Sequence, residues 1–331
     1  MKRIFLSLAL VVAACLNAAA QTNLIASLSH NDKLTAYYGE EALKEAYAAA
    51  QDGDVITLSS GTFNCPDTIR KAISLKGAGM ANHGQTPSTM VKGDIVLIGQ
   101  QGKKQMAVEG IHFMGIAKAS GNGLKDEVTF LKCRLKAMAY NVFAKYISCL
   151  LQGGVDLGNQ YYVTPTQAYC TNCIINSSIL GSEPERSITI DHCVAKCYTF
   201  TDRLTAMNSV IIYSGNYGNP ESNFSHCVGV STSQDADYFE FCPDGDNLMI
   251  YGYENLFKTW RGDDNMFDLT ELFYLTDEAA AKYPGDDDSQ VGIHGGSAPF
   301  DPLPSTAQVK KYGVKTAQDA DGNIKVTINV E

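Results

Sequence analysis

The chain's 331 residues and 45% hydrophobic content suffice for one elongated domain or two compact ones, and a charged fraction of 19% is too low for a disordered protein. A formal charge of -10 and a pI near 5.1 argue against nucleic acid or an anionic membrane surface as partner, because both need a basic footprint. An acidic polysaccharide would be repelled overall, which leaves only a local Lys/Arg groove to bind it.

Met1-Lys2-Arg3, the apolar run from Ile4 to Leu16 and the small residues Ala18 to Ala20 have the three parts of a secretory signal, so residues 1–20 are expected to be removed. Val12-Ala13-Ala14-Cys15 supports a competing reading, in which Cys15 is lipidated and anchors the protein. No apolar run is long enough for a transmembrane helix. The expected location is outside the cytoplasm: secreted, periplasmic or on the outer cell surface.

Residues 21–54 are read as an N-terminal cap. Leu24-Ile25-Ala26 and Leu34 to Tyr37 fit short strands, and residues 40–50 form an amphipathic helix with Ala42, Leu43, Ala46, Tyr47 and Ala50 on one face. From 55 to 250 a short period-2 apolar segment keeps returning. Anchored on Ile111, Cys133, Cys149, Cys173, Cys193, Ser209 and one residue past His226, the steps are 22, 16, 24, 20, 16 and 18 residues. A period-2 segment recurring about every 20 residues, with Gly-, Asn-, Ser- and Pro-rich loops between, is the pattern of a coiled parallel sheet. Nine cysteines remain without Cys15. The repeated position of Cys133, Cys149, Cys173, Cys193 and Cys227 marks these five mainly as a stacked column of small buried hydrophobes, although neighbouring rungs about 4.8 Å apart come near disulfide range.

After about residue 250 the repeat dissolves. Residues 251–331 are expected to form an irregular C-terminal cap, with a helical turn at Asp277 to Ala281 N-capped by Thr276, and a tail hairpin that turns at Asp321-Gly322.

A helix feeding Gly53-Asp54-Val55-Ile56-Thr57-Leu58 and Gly61-Thr62-Phe63, then Ile73-Ser74-Leu75-Lys76-Gly77-Ala78-Gly79 and Val108 to Phe113, resembles secreted bacterial right-handed parallel β-helix proteins of the pectin-lyase-like superfamily. The resemblance spans roughly residues 40–250. It implies an all-β fold, a right-handed parallel β-helix (solenoid) whose open N-terminal end is covered by the helix and whose C-terminal cap is irregular. A monomer is expected.

Pectate lyases of this fold carry an aliphatic-Asp-His string near their groove, which Ile190-Asp191-His192 resembles. The resemblance makes Asp191, His192, Arg186 and Arg203 the candidate catalytic residues of a lyase or glycosidase. The chain has Thr189 where that string carries Trp, and Asn172 and Asn208 where carboxylates would hold calcium. The paired carboxylates of a polygalacturonase are missing from the rungs. Tyr161, Tyr162 and Tyr217 stand in the longer loops and are candidate sugar-binding residues. Cys170-x2-Cys173 with Cys193-x3-Cys197 mimics zinc spacing, but the rung period already accounts for Cys173 and Cys193, and no metal site is assigned. Asp286-Asp287-Asp288 and Asp319 to Asn323 offer oxygens to calcium without EF-hand spacing. Arg261-Gly262-Asp263 is too short a string to carry an adhesive function alone. No complete catalytic constellation can be assembled. The function expected is therefore a secreted or surface-located, non-catalytic glycan-binding or structural protein, with a polysaccharide as partner. The alternatives are a polysaccharide lyase or glycosidase, and an adhesin-like protein-binding module.

Overall fold

The computed structural model describes residues 24–331 except 83–86, 101, 104, 159–164, 181–184, 198–203, 214–221, 232–236, 253–255, 260–272, 306–308, 315–325 and 331. The chain winds into a parallel β-solenoid of about eight turns. Each turn contributes one strand to a first sheet of 11 strands and at least one to a second sheet of 13. Successive rungs of the first sheet pair in register through Glu127–Leu131, Phe143–Ile147, Thr166–Thr171, Arg186–Asp191, Leu204–Met207 and Asn223–Ser225. Leu248–Tyr251 is the last strand of the second sheet, as the pattern at that position suggests.

The N-terminal cap combines a hairpin and a helix. Ile25–His30 and Lys33–Tyr38 pair antiparallel around Asn31 and Asp32, both in the left-handed region (φ 49° and 60°) that a two-residue hairpin turn requires. Ile25–His30 also pairs antiparallel with Val55–Leu58, so the hairpin extends the first sheet beyond its first turn. The helix, Ala42–Ala49, is shorter than the periodicity suggests and buries Ala42, Leu43 and Ala46 over the end of the core. Lys71 Nζ donates to the carbonyls of Tyr47 and Ala48 (2.7 and 2.8 Å) in the last helical turn, where Tyr47 O also accepts from Ala50 N (3.3 Å). The short helix Asp277–Lys282 forms as expected, with the Thr276 side chain accepting from Ala279 N.

From Gly110 onward the chain passes from first to second sheet through one residue of positive φ, Gly110, Lys132, Ser148, Asn172, His192, Asn208 and His226, and Asp246 has the same conformation ahead of the last strand of the second sheet, all between 48° and 66°. A non-glycine residue there costs about 1–2 kcal/mol, so the corners need compensating contacts. One comes from the residue that follows. The buried N–H groups of Cys133, Cys149 and Cys173 donate to the sulfur of the next rung's cysteine (3.4 Å each), that of Cys193 to Ser209 Oγ (3.0 Å), and that of Cys227 to Asn247 Oδ1 (2.9 Å). Each thiol in turn approaches a carbonyl of the preceding turn, as Cys173 Sγ does Tyr146 O at 3.3 Å.

The column is thus more than a stack of small hydrophobes, because its side chains satisfy backbone donors that no strand ladder reaches. The cysteines described are all unbridged. Residues stacked in register have their Cβ atoms one rung apart, about 4.8 Å, beyond the 3.5–4.5 Å a disulfide requires. Burial pushes the Cys133 and Cys173 thiols well up and Cys227 to about 12, so they stay protonated and poor ligands or nucleophiles. Cys173→Ser, which imitates Ser209, is expected to cost less than about 1 kcal/mol. Cys173→Ala, which strands the Cys149 N–H, is expected to cost about 1–3 kcal/mol. Urea unfolding of the two variants checks the difference.

The described residues form two apolar cores. One fills the solenoid; the other lies outside the second sheet. Leu150, Ile174, Val194, Val210, Val228 and Leu248 share one outward column, and all but Leu248 are covered by a cluster containing Leu275, Ala279, Val291, Ile293 and Phe300. The segment after the last rung is irregular, as read, and its residues 283–305 run back along the flank of the coil as a strap. In the tail, Val309–Val314 and Val326–Val330 pair antiparallel; the Asp321-Gly322 turn lies outside the described residues.

Candidate functional site

The strap meets the coil at the positive-φ corners, taking them in reverse chain order. Gly292 N donates to Asn208 O (2.7 Å), Asp286 N to Asn208 Oδ1 (2.9 Å), and Asn208 Nδ2 to Asp286 Oδ1 (2.8 Å) and Asp191 Oδ1 (3.0 Å). Asn172 Nδ2 donates to the carbonyls of Ile293 (3.0 Å) and Gly295 (2.9 Å). Farther along, Lys132 pairs with Asp301 at 2.7 Å, and Ser305 donates to buried Glu109 through its amide and hydroxyl. These bonds are the second compensation for the strained corners.

At the middle of this seam the candidate pair Asp191–His192 has a defined environment. His192 Nδ1 lies 3.0 Å from Asp191 Oδ1, and Nε2 lies 3.1 Å from Ser289 Oγ and 3.6 Å from Asp287 Oδ1. The ring is buried, and a Cβ added to Gly295 would strike both it and the Gln290 carbonyl. Burial alone would lower the His192 pKa, but hydrogen bonding to Asp191 and the charges of Asp191, Asp287 and Asp286 outweigh it and raise the value. Burial likewise opposes ionisation of Asp191, and hydrogen bonds from His192 and Asn208 overcome it, so the carboxyl ends below its usual range.

Serine, histidine and aspartate here have the connectivity of a nucleophilic triad, but the chemistry does not follow. The Ser289 hydroxyl donates to Asp287 Oδ1 (2.7 Å) and accepts from Gly296 N (2.7 Å). The Ser289 proton is thus directed at Asp287 and not at His192, and the neighbouring carboxylates, by raising the His192 pKa, favour the protonated ring over the form that takes a proton. The arrangement acts as an ionic clamp on the strap.

The other candidates do not join it. Arg186 is buried at the opposite end of the strand Arg186–Asp191 and on the opposite face, roughly 16 Å from Asp191 at 3.3 Å per residue, and its guanidinium donates to Gly158 O. Arg203, Tyr161, Tyr162 and Tyr217 lie outside the described residues, as do Arg261-Gly262-Asp263 and Asp319 to Asn323. Asp286 and Asp287 are hydrogen-bond acceptors in the seam, and among the described residues no group of three or more His, Cys, Asp or Glu side chains could hold a metal ion.

What lies open beside the clamp is the outer face of the first sheet. Its central column runs Thr129, Lys145, Tyr169, Thr189, Thr205 and Asn223, and beside it stand Glu127, Phe143, Gln167 and Ser187. Glu127 pairs with Lys145 (3.0 Å), whose ammonium lies 5.1 Å from the Phe143 ring centroid. Tyr169 donates to Asp191 Oδ2 at 3.4 Å. This face carries hydroxyls and amides with Lys145 and two aromatic rings, edged at the corners by Leu131, Ile147 and Met207, and its carboxylates Glu109, Glu127 and Asp191 are already engaged.

No protein-family model, curated protein or solved structure matches this chain. Its parallel solenoid is therefore a statement about fold, and sites must be argued from their own residues.

In the sequence Asn208 stands out only as a place where a calcium-binding carboxylate is missing, and Ser289 carries no signal of its own. The available signal was the residue before each anchor: Asn172, His192, Asn208 and His226 are types enriched at positive φ.

Proposed function

We propose that this protein is an exported or cell-surface β-solenoid that binds glycan without turning it over, using the outer face of the first sheet. The observation that carries the reading is the flat column of Thr, Gln, Ser and Asn side chains around Phe143 and Tyr169, on which the carboxylates Glu127 and Asp191 are both committed to protein partners. Hydroxyls and amides at rung spacing suit the hydroxyls of an extended sugar chain, and aromatic faces suit its apolar C–H surfaces. A hydrolase or lyase needs a carboxylate or base free to act on the scissile bond. The N-terminal signal-like segment and the resemblance to pectin-lyase-like proteins support the location and the carbohydrate association.

Calorimetric titration with extracellular polysaccharides tests this. Tyr169→Ala is expected to weaken binding about tenfold, since ring contacts of this kind are worth on the order of 1 kcal/mol. Accumulation of shortened or unsaturated sugar products with pure protein, abolished by changing Asp191 or Glu127, would replace this reading with an enzymatic one.

A further inference from the structure

The opposite side of the coil has a different character. In the second sheet Val96, Lys118, Met138, Asp156 and Leu180 form one outward column, and Ile98, Ser120 and Tyr140 form the next. Met114 and Leu180 are 57% and 40% exposed, and Val96, Ile98, Ile116 and Met138 are partly exposed around them. Lys92 and Lys136 are exposed on the same side. The Lys136 stem lies over Gly153, where a Cβ would collide with it, and the Lys118 ammonium sits 5.2 Å from the Tyr140 ring centroid. None of Lys92, Lys118 and Lys136 makes an ion pair with another described residue. The carboxylates on this side offset part of that charge: Asp94 accepts from Ile116 N (2.7 Å), Asp156 accepts from Gly158 N (2.7 Å), and exposed Asp67 precedes Thr68, which pairs with Val96 at the head of the column.

On a chain of net charge -10 this face sets Lys92, Lys118, Lys136 and Arg134 against Asp67, Asp94 and Asp156, a local excess of basic side chains among exposed apolar ones. We infer that the outer face of the second sheet, centred on Lys118, Lys136, Met114 and Leu180, docks on an anionic lipid surface. Lysines with long apolar stems keep their charge at the headgroups while Met and Leu enter the interface, and a tyrosine ring suits the boundary between them. A polyanionic glycan would use the lysines but gain little from exposed Met114 and Leu180, so the mixture favours lipid. Glycan binding on the other sheet and lipid docking on this one are independent, and the repulsion expected from net charge applies to the molecule as a whole and not to this face.

Co-sedimentation of the full chain with phosphatidylcholine vesicles, with and without phosphatidylglycerol, tests it. Binding is expected only to the anionic vesicles and should be released by high salt. Lys118→Glu with Lys136→Glu should weaken it by about tenfold or more. Met114→Ser with Leu180→Ser should weaken it at unchanged salt dependence, and Lys33→Glu in the N-terminal hairpin should leave it intact. Thermal unfolding confirms that each variant is folded, and the salt release of the unaltered protein stands whether or not a variant folds. Equal binding to neutral vesicles, no binding, or no effect of either double variant would overturn the proposal. Binding of soluble dextran sulfate, sensitive to the lysine changes, without vesicle binding would overturn it in favour of a polyanionic glycan.

Discussion

Replacing Asn208 with alanine is expected to destabilise the protein by about 3 kcal/mol, because one amide serves the strap, the neighbouring rung and its own strained corner together. Its Nδ2 donates to both Asp191 and Asp286, and its Oδ1 accepts from Asp286 N. Hydrogen bonds to charged groups are worth about 1.5–3 kcal/mol each, and alanine tolerates positive φ less well than asparagine. Asn208→Asp separates the causes. Aspartate also tolerates the corner, but it removes the donor and adds a carboxylate between two others, so it should destabilise more than alanine does. Urea unfolding gives the energies. Limited proteolysis between residues 283 and 305 reports whether the strap has left the coil. If Asn208→Asp were the milder change, backbone conformation and not the seam would dominate.

The second large effect is expected from pH. His192 has its pKa raised in the folded state, so its contribution is fully present below the unfolded value near 6.5 and is lost as pH rises through the folded value. Asp191 and Asp287 have theirs lowered, so their contribution is present above about 3.9 and is lost as pH falls through the folded values. The clamp should therefore hold best between roughly pH 4 and 6.5. Protection of the strap against protease should fall on both sides of that window. His192→Gln retains ring-sized bulk and hydrogen-bonding capacity and should remove the alkaline limb and weaken the acid one, because Asp191 and Asp287 lose the imidazole that helps to lower their pKa values. A protection profile flat from pH 6 to 9 in the unaltered protein would show that His192 carries no charge there.

Much of the coil was legible in the sequence because its restraint is local. Period-2 strands and a returning anchor at Cys133, Cys149, Cys173 and Cys193 place the rungs, and Thr276 with Asp277 and Glu278 places a helix start. The strap was not legible, since Val291, Ile293 and Phe300 share no period and are held by partners far away in chain order, as Ile293 is by Asn172, 121 residues before it. Its trace lay in the rungs: Leu150-Leu151, Ile174-Ile175 and Val210-Ile211 set apolar residues side by side, which breaks period-2 alternation and marks strands buried on both faces. The Asp191–His192 pair was found by motif. Its role was not, because the groups that decide it, Ser289 and Asp287, come from the distant strap.

A stack of rungs that touch only their neighbours behaves as a one-dimensional array, able to fray turn by turn from either end. The strap changes that dimensionality. Chain from beyond the last turn is bonded at Asn208, His192, Asn172, Lys132 and Glu109, so opening any one of these turns strains a segment shared with the rest. The array should melt as one unit rather than in steps. Because the strap has a complete seam to read only after those corners exist, it should also be the last part to settle during folding.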